Sequence, residues 1–174
     1  IASTIGNNRS TLPPSSSYGA LIVARRVSSV RMEPTTPSGH DAIVSLTEQI
    51  ALVASGATSS VALVSQSLAS IARLDPELNA FVTVIGERAL DEAAARDADV
   101  AAGRDLGPLH GVPIAIKDEN DVAGTRTTFG SAGVTRIAEH DAELVRRLRA
   151  AGAVIVGKTT MPEFGFTPST EFPD

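Results

Sequence analysis

No cysteine occurs in the 174 residues, which excludes disulfides, a thiol nucleophile and any cysteine-ligated zinc or iron-sulfur centre. A reducing compartment suits that absence, and the cytoplasm is the expected location. Tryptophan is absent as well and aromatics make up only 3%, so Ala, Val, Leu and Ile supply the apolar bulk. That is the composition of helices packed on a sheet rather than of an aromatic-rich β-sandwich, and α/β is the expected class. No apolar run is long enough to span a membrane. Acids are missing from residues 1–31, which hold Arg9, Arg25, Arg26 and Arg31 for a balance of +4. The remainder sets eleven basic residues against twenty acidic ones, a balance of −9, and a body that acidic offers no electrostatic footprint for nucleic acid.

Residues 1–40 are rich in Ser, Thr, Pro, Gly and Asn, with one short apolar island, YGALIVA, and are expected to be a disordered or artefactual leader. Their Arg and Ser content is that of an organellar import signal. Pro13, Pro14 and the missing initiator Met speak against it and favour a cleaved tail, or upstream sequence with Met32 as the true start. YGALIVA is at the short limit for a secretory signal and runs into Arg25 and Arg26 rather than a cleavage site.

Order is expected from about Asp41. Ser45-Leu46-Thr47-Glu48 is a capping box, and Gly56 closes the helix it opens. A second helix from Ser59 or Ser60 puts Val61, Val64, Leu68 and Ile71 on one face and stops at Asp75-Pro76. NAFVTVI (79–85) reads as a strand, and ERALDEAAARDADVAA (87–102) as a helix ended by Gly103. VPIAIK (112–117), apolar without alternation, reads as a strand covered on both faces. Residues 118–133 read as loop. DAELVRRLRAAG (141–152) reads as a helix with an Asp cap and a Leu144, Val145, Leu148 stripe, feeding the strand AVIVG.

GAVIVGKT (152–159) matches the phosphate-loop pattern G-x-x-x-x-G-K-[ST]. In a phosphate loop, however, the four intervening residues are the loop, with a strand before them and a helix after. Here a helix ends at Gly152, AVIV is itself the strand, and β-branched residues resist the positive φ that a nest of N–H groups needs. The match is a strand between two glycines.

Thirteen of the fifteen cationic side chains are Arg, and only Lys117 and Lys158 are Lys. Both fall at the carboxyl ends of expected strands, where open α/β sheets place ligands. Arg cannot act as a base, whereas a desolvated Lys can accept a proton, so each is a candidate general base. Pairing with a nearby acid such as Asp118 or Glu163 is the competing structural role. His40, His110 and His140 show no ligand spacing and read as surface or turn residues, so no metal site is expected. Neither G-x-S-x-G, S-x-x-K nor H-E-x-x-H occurs. Ser131 in FGSAG reads as a turn residue.

GPLHGVPIAIKDENDVAGTRTTFGSAG, followed by DAELVRRLRAAGAVIVGKTTMPEFGFTPSTEFPD, resembles the amino-terminal portion of the amidase signature family, and DPELNAFVTV upstream fits it too. The resemblance covers about residues 41–174, and the VPIAIKD and GAVIVGKT-x-MPEF elements are specific together, in this order and spacing. It implies an α/β/α fold with a mixed central sheet, of which 41–174 would be the amino-terminal part. It also implies hydrolysis or transfer of amide nitrogen by a Ser–cis-Ser–Lys triad with no cofactor.

Lys117, in the segment matching VPIAIKD, inherits the role of base; Lys158 is left as a strand-end residue. A neutral Lys117 would draw a proton through a bridging serine from the nucleophile, which attacks the amide carbonyl before water resolves the acyl-enzyme. Met161 and Gly165, on the loop after the second strand, are expected to line the acyl pocket. The family's two serines lie in a Gly-Gly-Ser-Ser-Gly type stretch downstream of MPEFG that these residues do not contain. The expectation is therefore a fragment, inactive alone, of an amidase acting on a small-molecule amide, in an oligomeric state the sequence leaves open, with a homo-oligomer allowed. Glu119 stands where many relatives have Asn, which favours a general amidase over the A subunit of an aminoacyl-tRNA amidotransferase, a carbon–nitrogen ligase. A non-catalytic truncated protein is the remaining alternative.

Overall fold

The computed structural model describes residues 45–170, so the expectations for the leader, and for His40 within it, lie outside the described residues. Helix α1 (Leu46–Ala54) starts at the capping box: the Glu48 N–H donates to Ser45 Oγ at 3.2 Å, and Val53 carries its buried contact. Helix α2 (Ser60–Leu78) is capped by Ser59, whose Oγ accepts from the Ala62 N–H at 3.0 Å. It does not stop at Asp75-Pro76. Pro76 sits in the last turn, where it forgoes one helical N–H bond, and the helix ends at Asn79 in the left-handed region (φ 48°). Asp75 secures that exit, its Oδ1 accepting from the N–H groups of Ala80 (2.7 Å) and Phe81 (2.9 Å).

Strand β1 (Phe81–Val84) leads into helix α3 (Gly86–Ala101), followed by strand β2 (Pro113–Lys117), helix α4 (Glu143–Ala150), strand β3 (Val154–Thr159) and a 3-10 turn at Glu163–Gly165. The order across the sheet is β1-β3-β2, with β1 antiparallel and β2 parallel to β3. Parallel β2 and β3 need a crossover, and the 118–142 loop with α4 supplies it.

Helices cover both faces of β3. Val154 and Val156 pack with Val64, Ala89 and Ala93 from α2 and α3, while Ile155 packs on the other side with Ile116, Val122 and Val145. Each such valine or isoleucine taken from water contributes roughly 1.5–3 kcal/mol. The arrangement is mixed α/β, in agreement with the composition. β2 departs from the expected double coverage. It lies at the edge of the described sheet, and while Ile116 is buried, Ala115 and Lys117 on its other face are exposed.

Two more expectations change. Asp141 does not cap α4, whose N-cap is Ala142 without a side-chain bond; Asp141 instead accepts from the Ala123 N–H at 2.8 Å and pairs with Arg149 Nε at 2.9 Å. Of the stripe, Val145 is buried and Leu148 packs against its cluster, but Leu144 is half exposed. His110 is a turn residue but not a surface one. It is buried, with Nε2 donating to the Arg96 carbonyl at 2.9 Å, and the Cα of Gly152 passes so close that an added Cβ would lie 2.7 Å from His110 Cα.

Candidate active site

The carboxyl ends of β2 and β3 come together because the strands are parallel and in register from Ala115↔Gly157 to Lys117↔Thr159. Both lysines therefore reach the same sheet edge, as the sequence implies, yet their environments are opposite. The Lys117 side chain is about 49% exposed, and its described ion pair is with Glu119 Oε2 at 3.3 Å, itself 45% exposed. An exposed pair of that kind is worth at most about 1 kcal/mol. Lys158 is fully buried. Its Nζ lies 2.6 Å from Asp118 Oδ1 and donates to Thr127 Oγ1 (2.7 Å) and the Arg126 carbonyl (2.9 Å).

A bulge brings Lys158 there. Ile155 pairs with Ile114 and Gly157 with Ala115, so β3 holds one extra residue against β2. Without it Ile155 and Lys158, three apart, would point to opposite faces. With it, Lys158 pairs with Ile116 and joins Asp118 on the α4 side. An ammonium so occupied has no room for phosphate, and residues 154–159 form β3, as the strand reading of GAVIVGKT requires.

Asp118 continues the ladder, its N–H donating to the Thr159 carbonyl at 3.1 Å. Its Oδ2 accepts from the Thr128 N–H at 3.0 Å and from the Thr128 hydroxyl. The polar chain extends through Thr127 to Asp121, which Arg136 Nη2 holds at 2.7 and 2.9 Å. Partial burial works against the Asp121 charge, but hydrogen bonds from Arg136 and Thr127, with the charges of Arg136 and Lys158, outweigh it and keep its carboxyl below the usual range.

Beyond Thr128 the chain turns through Phe129 and Gly130. Phe129 (φ 53°) and Phe164 (φ 48°) both hold left-handed backbone, and their rings stack with centroids 6.2 Å apart. The Phe164 N–H donates to the Phe129 carbonyl at 2.8 Å, and a Cβ on Gly130 would lie 2.4 Å from the Met161 carbonyl oxygen. These contacts fasten the 161–165 loop to the turn after β2. Met161 is buried and Gly165 is exposed with φ +72°, so the two residues of the expected pocket wall present different surfaces. Sequence reasoning passes over Thr127 and Thr128, and it reaches Asp118 only as an acid near enough to pair with a lysine. Among the described residues no cluster of His, Asp or Glu could hold a metal ion, and no helix is long and apolar enough to cross a membrane.

Residues 62–173 match the Amidase family, and the chain belongs to it. It is 49% identical over 136 residues to AmiA2 of Mycobacterium tuberculosis, which bears an amidase name, covering 78% of this chain and 28% of that protein. It is 45% identical over 118 residues to the A subunit of the glutamyl-tRNA(Gln) amidotransferase of Rhodopirellula baltica, covering 67% of this chain and 24% of that one. Among solved structures, the native peptide amidase of Stenotrophomonas maltophilia superposes with a TM-score of 0.66 at 40% identity, over 71% of this chain and 26% of the other. The chain thus spans about a quarter of the length of the relatives it matches.

Proposed function

We propose that the whole protein hydrolyses carbon–nitrogen amide bonds of a small-molecule substrate, with Lys117 as the base of a Ser–cis-Ser–Lys triad whose serines lie outside these 174 residues. The observation that carries this is the contrast between the two lysines. Lys158 is spent on Asp118, Thr127 and Arg126, whereas Lys117 stands at the carboxyl end of β2 with a weak, exposed partner. A bridging serine can displace Glu119 at little cost, since that pair is exposed. Neutral Lys117 then takes the nucleophile's proton by way of the bridging serine as the serine oxygen bonds to the amide carbonyl carbon; the C–N bond breaks as the amine takes that proton, and water hydrolyses the acyl-enzyme.

On this reading the 174-residue chain alone does not turn over amides. Lys117→Ala in the full-length enzyme abolishes turnover while the protein stays folded; retained turnover removes Lys117 from the triad. Gly165 lines the acyl side, and Met161, which is buried, shapes the loop that carries it. An unchanged ranking of acyl groups in Met161→Ala counts against that placement. The amidotransferase reading has its own support in the 45% identity to the Rhodopirellula baltica protein. Copurification with partner proteins that deliver ammonia distinguishes it from the hydrolase.

A further inference from the structure

Resting on the reading of Lys117 as base, we propose that the buried Asp118–Lys158 pair is a positioning device for Lys117. It holds the carboxyl end of β2 and so fixes the direction in which the Lys117 side chain leaves the strand. The pair cannot touch substrate, since its side chains are 1% and 0% exposed. Nor does stability account for it, because two charges removed from water are commonly matched or bettered by apolar residues of similar volume. What the pair does supply is fixation at one point.

Asp118 is held by every polar group it has. Its N–H is bound to the Thr159 carbonyl, its carbonyl accepts from the Phe129 N–H at 3.3 Å, Oδ1 faces Lys158 and Oδ2 takes both donors of Thr128. Lys117 immediately precedes it, with its own carbonyl accepting from the Asn120 N–H at 3.1 Å. The Lys117 Cα is therefore pinned on both sides while its side chain projects to the opposite face of the strand. The bulge in β3 has a consequence here: it delivers the one ammonium that neutralises Asp118 on its own face. Glu119 is the carboxylate that Lys117 meets, and it is exposed and readily displaced.

The test measures kcat and KM separately in the full-length enzyme for Asp118→Asn, Lys158→Met and the double variant, below their thermal midpoints. A positioning role lowers kcat by about a hundredfold, the size expected of an ångström-scale misplacement, with KM within a few-fold. The double variant loses no more than the worse single one, because the pair acts as a unit. Lys158→Arg does not restore kcat, since a planar guanidinium cannot place three donors around the point an ammonium occupies. A folded Lys158→Met or Asp118→Asn enzyme with kcat within about threefold of the parent overturns the proposal, as does full rescue by Lys158→Arg. If Lys158→Met does not fold, Thr127→Val carries the test by removing one acceptor at nearly constant shape. A kcat lowered about tenfold supports the role and an unchanged kcat refutes it. Lys117→Ala is assayed in parallel: turnover that survives it sinks the base reading, whereas a dead Lys117→Ala beside fully active pair variants sinks this one.

Discussion

Asp97→Ala should unfold the start of α2 from a distance of thirty-seven residues along the chain. The first N–H groups of a helix have no partner within it, and here a neighbouring helix supplies one. Asp97 on α3 accepts from the Ser60 N–H at 2.6 Å through Oδ1 and from the Val61 N–H at 3.1 Å through Oδ2, while Ser59 Oγ takes the Ala62 N–H. A hydrogen bond to a charged group contributes about 1.5–3 kcal/mol, and the positive end of the helix dipole adds about 0.3–1 kcal/mol. Both bonds are part-buried, so the lower end of each range applies, and the expected loss is about 3 kcal/mol.

Asp97→Asn keeps one acceptor but turns an NH2 toward the other donor, for a loss of about 2 kcal/mol. Ser59→Ala, the ordinary cap, should cost only about 1 kcal/mol. Urea unfolding of the 174-residue chain reads all three. With m near 2 kcal/mol per molar, Asp97→Ala moves the midpoint down by roughly 1–2 M. A loss below 1 kcal/mol, or no greater than that of Ser59→Ala, would show that this cross-helix cap does not stabilise α2.

Gly130→Ala should cost more than Gly103→Ala. Both have positive φ, with a penalty of about 1–2 kcal/mol, but only at Gly130 does a Cβ meet backbone, at 2.4 Å from the Met161 oxygen, and equal thermal shifts would refute the close approach. Glu143 is held down to about 2 by hydrogen bonds from Arg146 and Arg147 on the first turns of α4. Its folded value lies below its unfolded one of about 4.5, so its contribution is complete above pH 4.5 and is lost as pH falls through about 2. Glu143→Gln is accordingly expected to destabilise at pH 7 and to be neutral near pH 2, with the difference shrinking in high salt because the group is exposed. A pH-independent difference would contradict that assignment.

The helices and strands were readable because their signals are local. Ser45 and Ser59 mark helix starts through an oxygen that reaches an N–H three residues on, and both do so in the structure. Two of the misreadings are places where a distant group took the side chain. Asp141 reads as a cap for α4, but Arg149 and the Ala123 N–H claim it. His110 reads as an exposed loop residue, but the Arg96 carbonyl and the backbone at Gly152 enclose it. Pro76 reads as a stop, but Asp75 and Asn79 finish the helix one turn later. Asp97 gave no signal, since its partners are on another helix.

Sequence alone settles that this is a cysteine-free α/β chain of the amidase type, with two lysines at the carboxyl ends of strands. Composition, periodicity and two motifs are properties of short stretches. Which lysine is enclosed and which is open was decided by the fold. Lys117 and Lys158 are alike in residue type and strand position, and a one-residue bulge in β3 together with the turn at 126–128 separates them. The bulge turns Lys158 toward a carboxylate forty residues earlier in the chain, where burial makes the pairing obligatory, and leaves Lys117 at the edge of the sheet facing solvent.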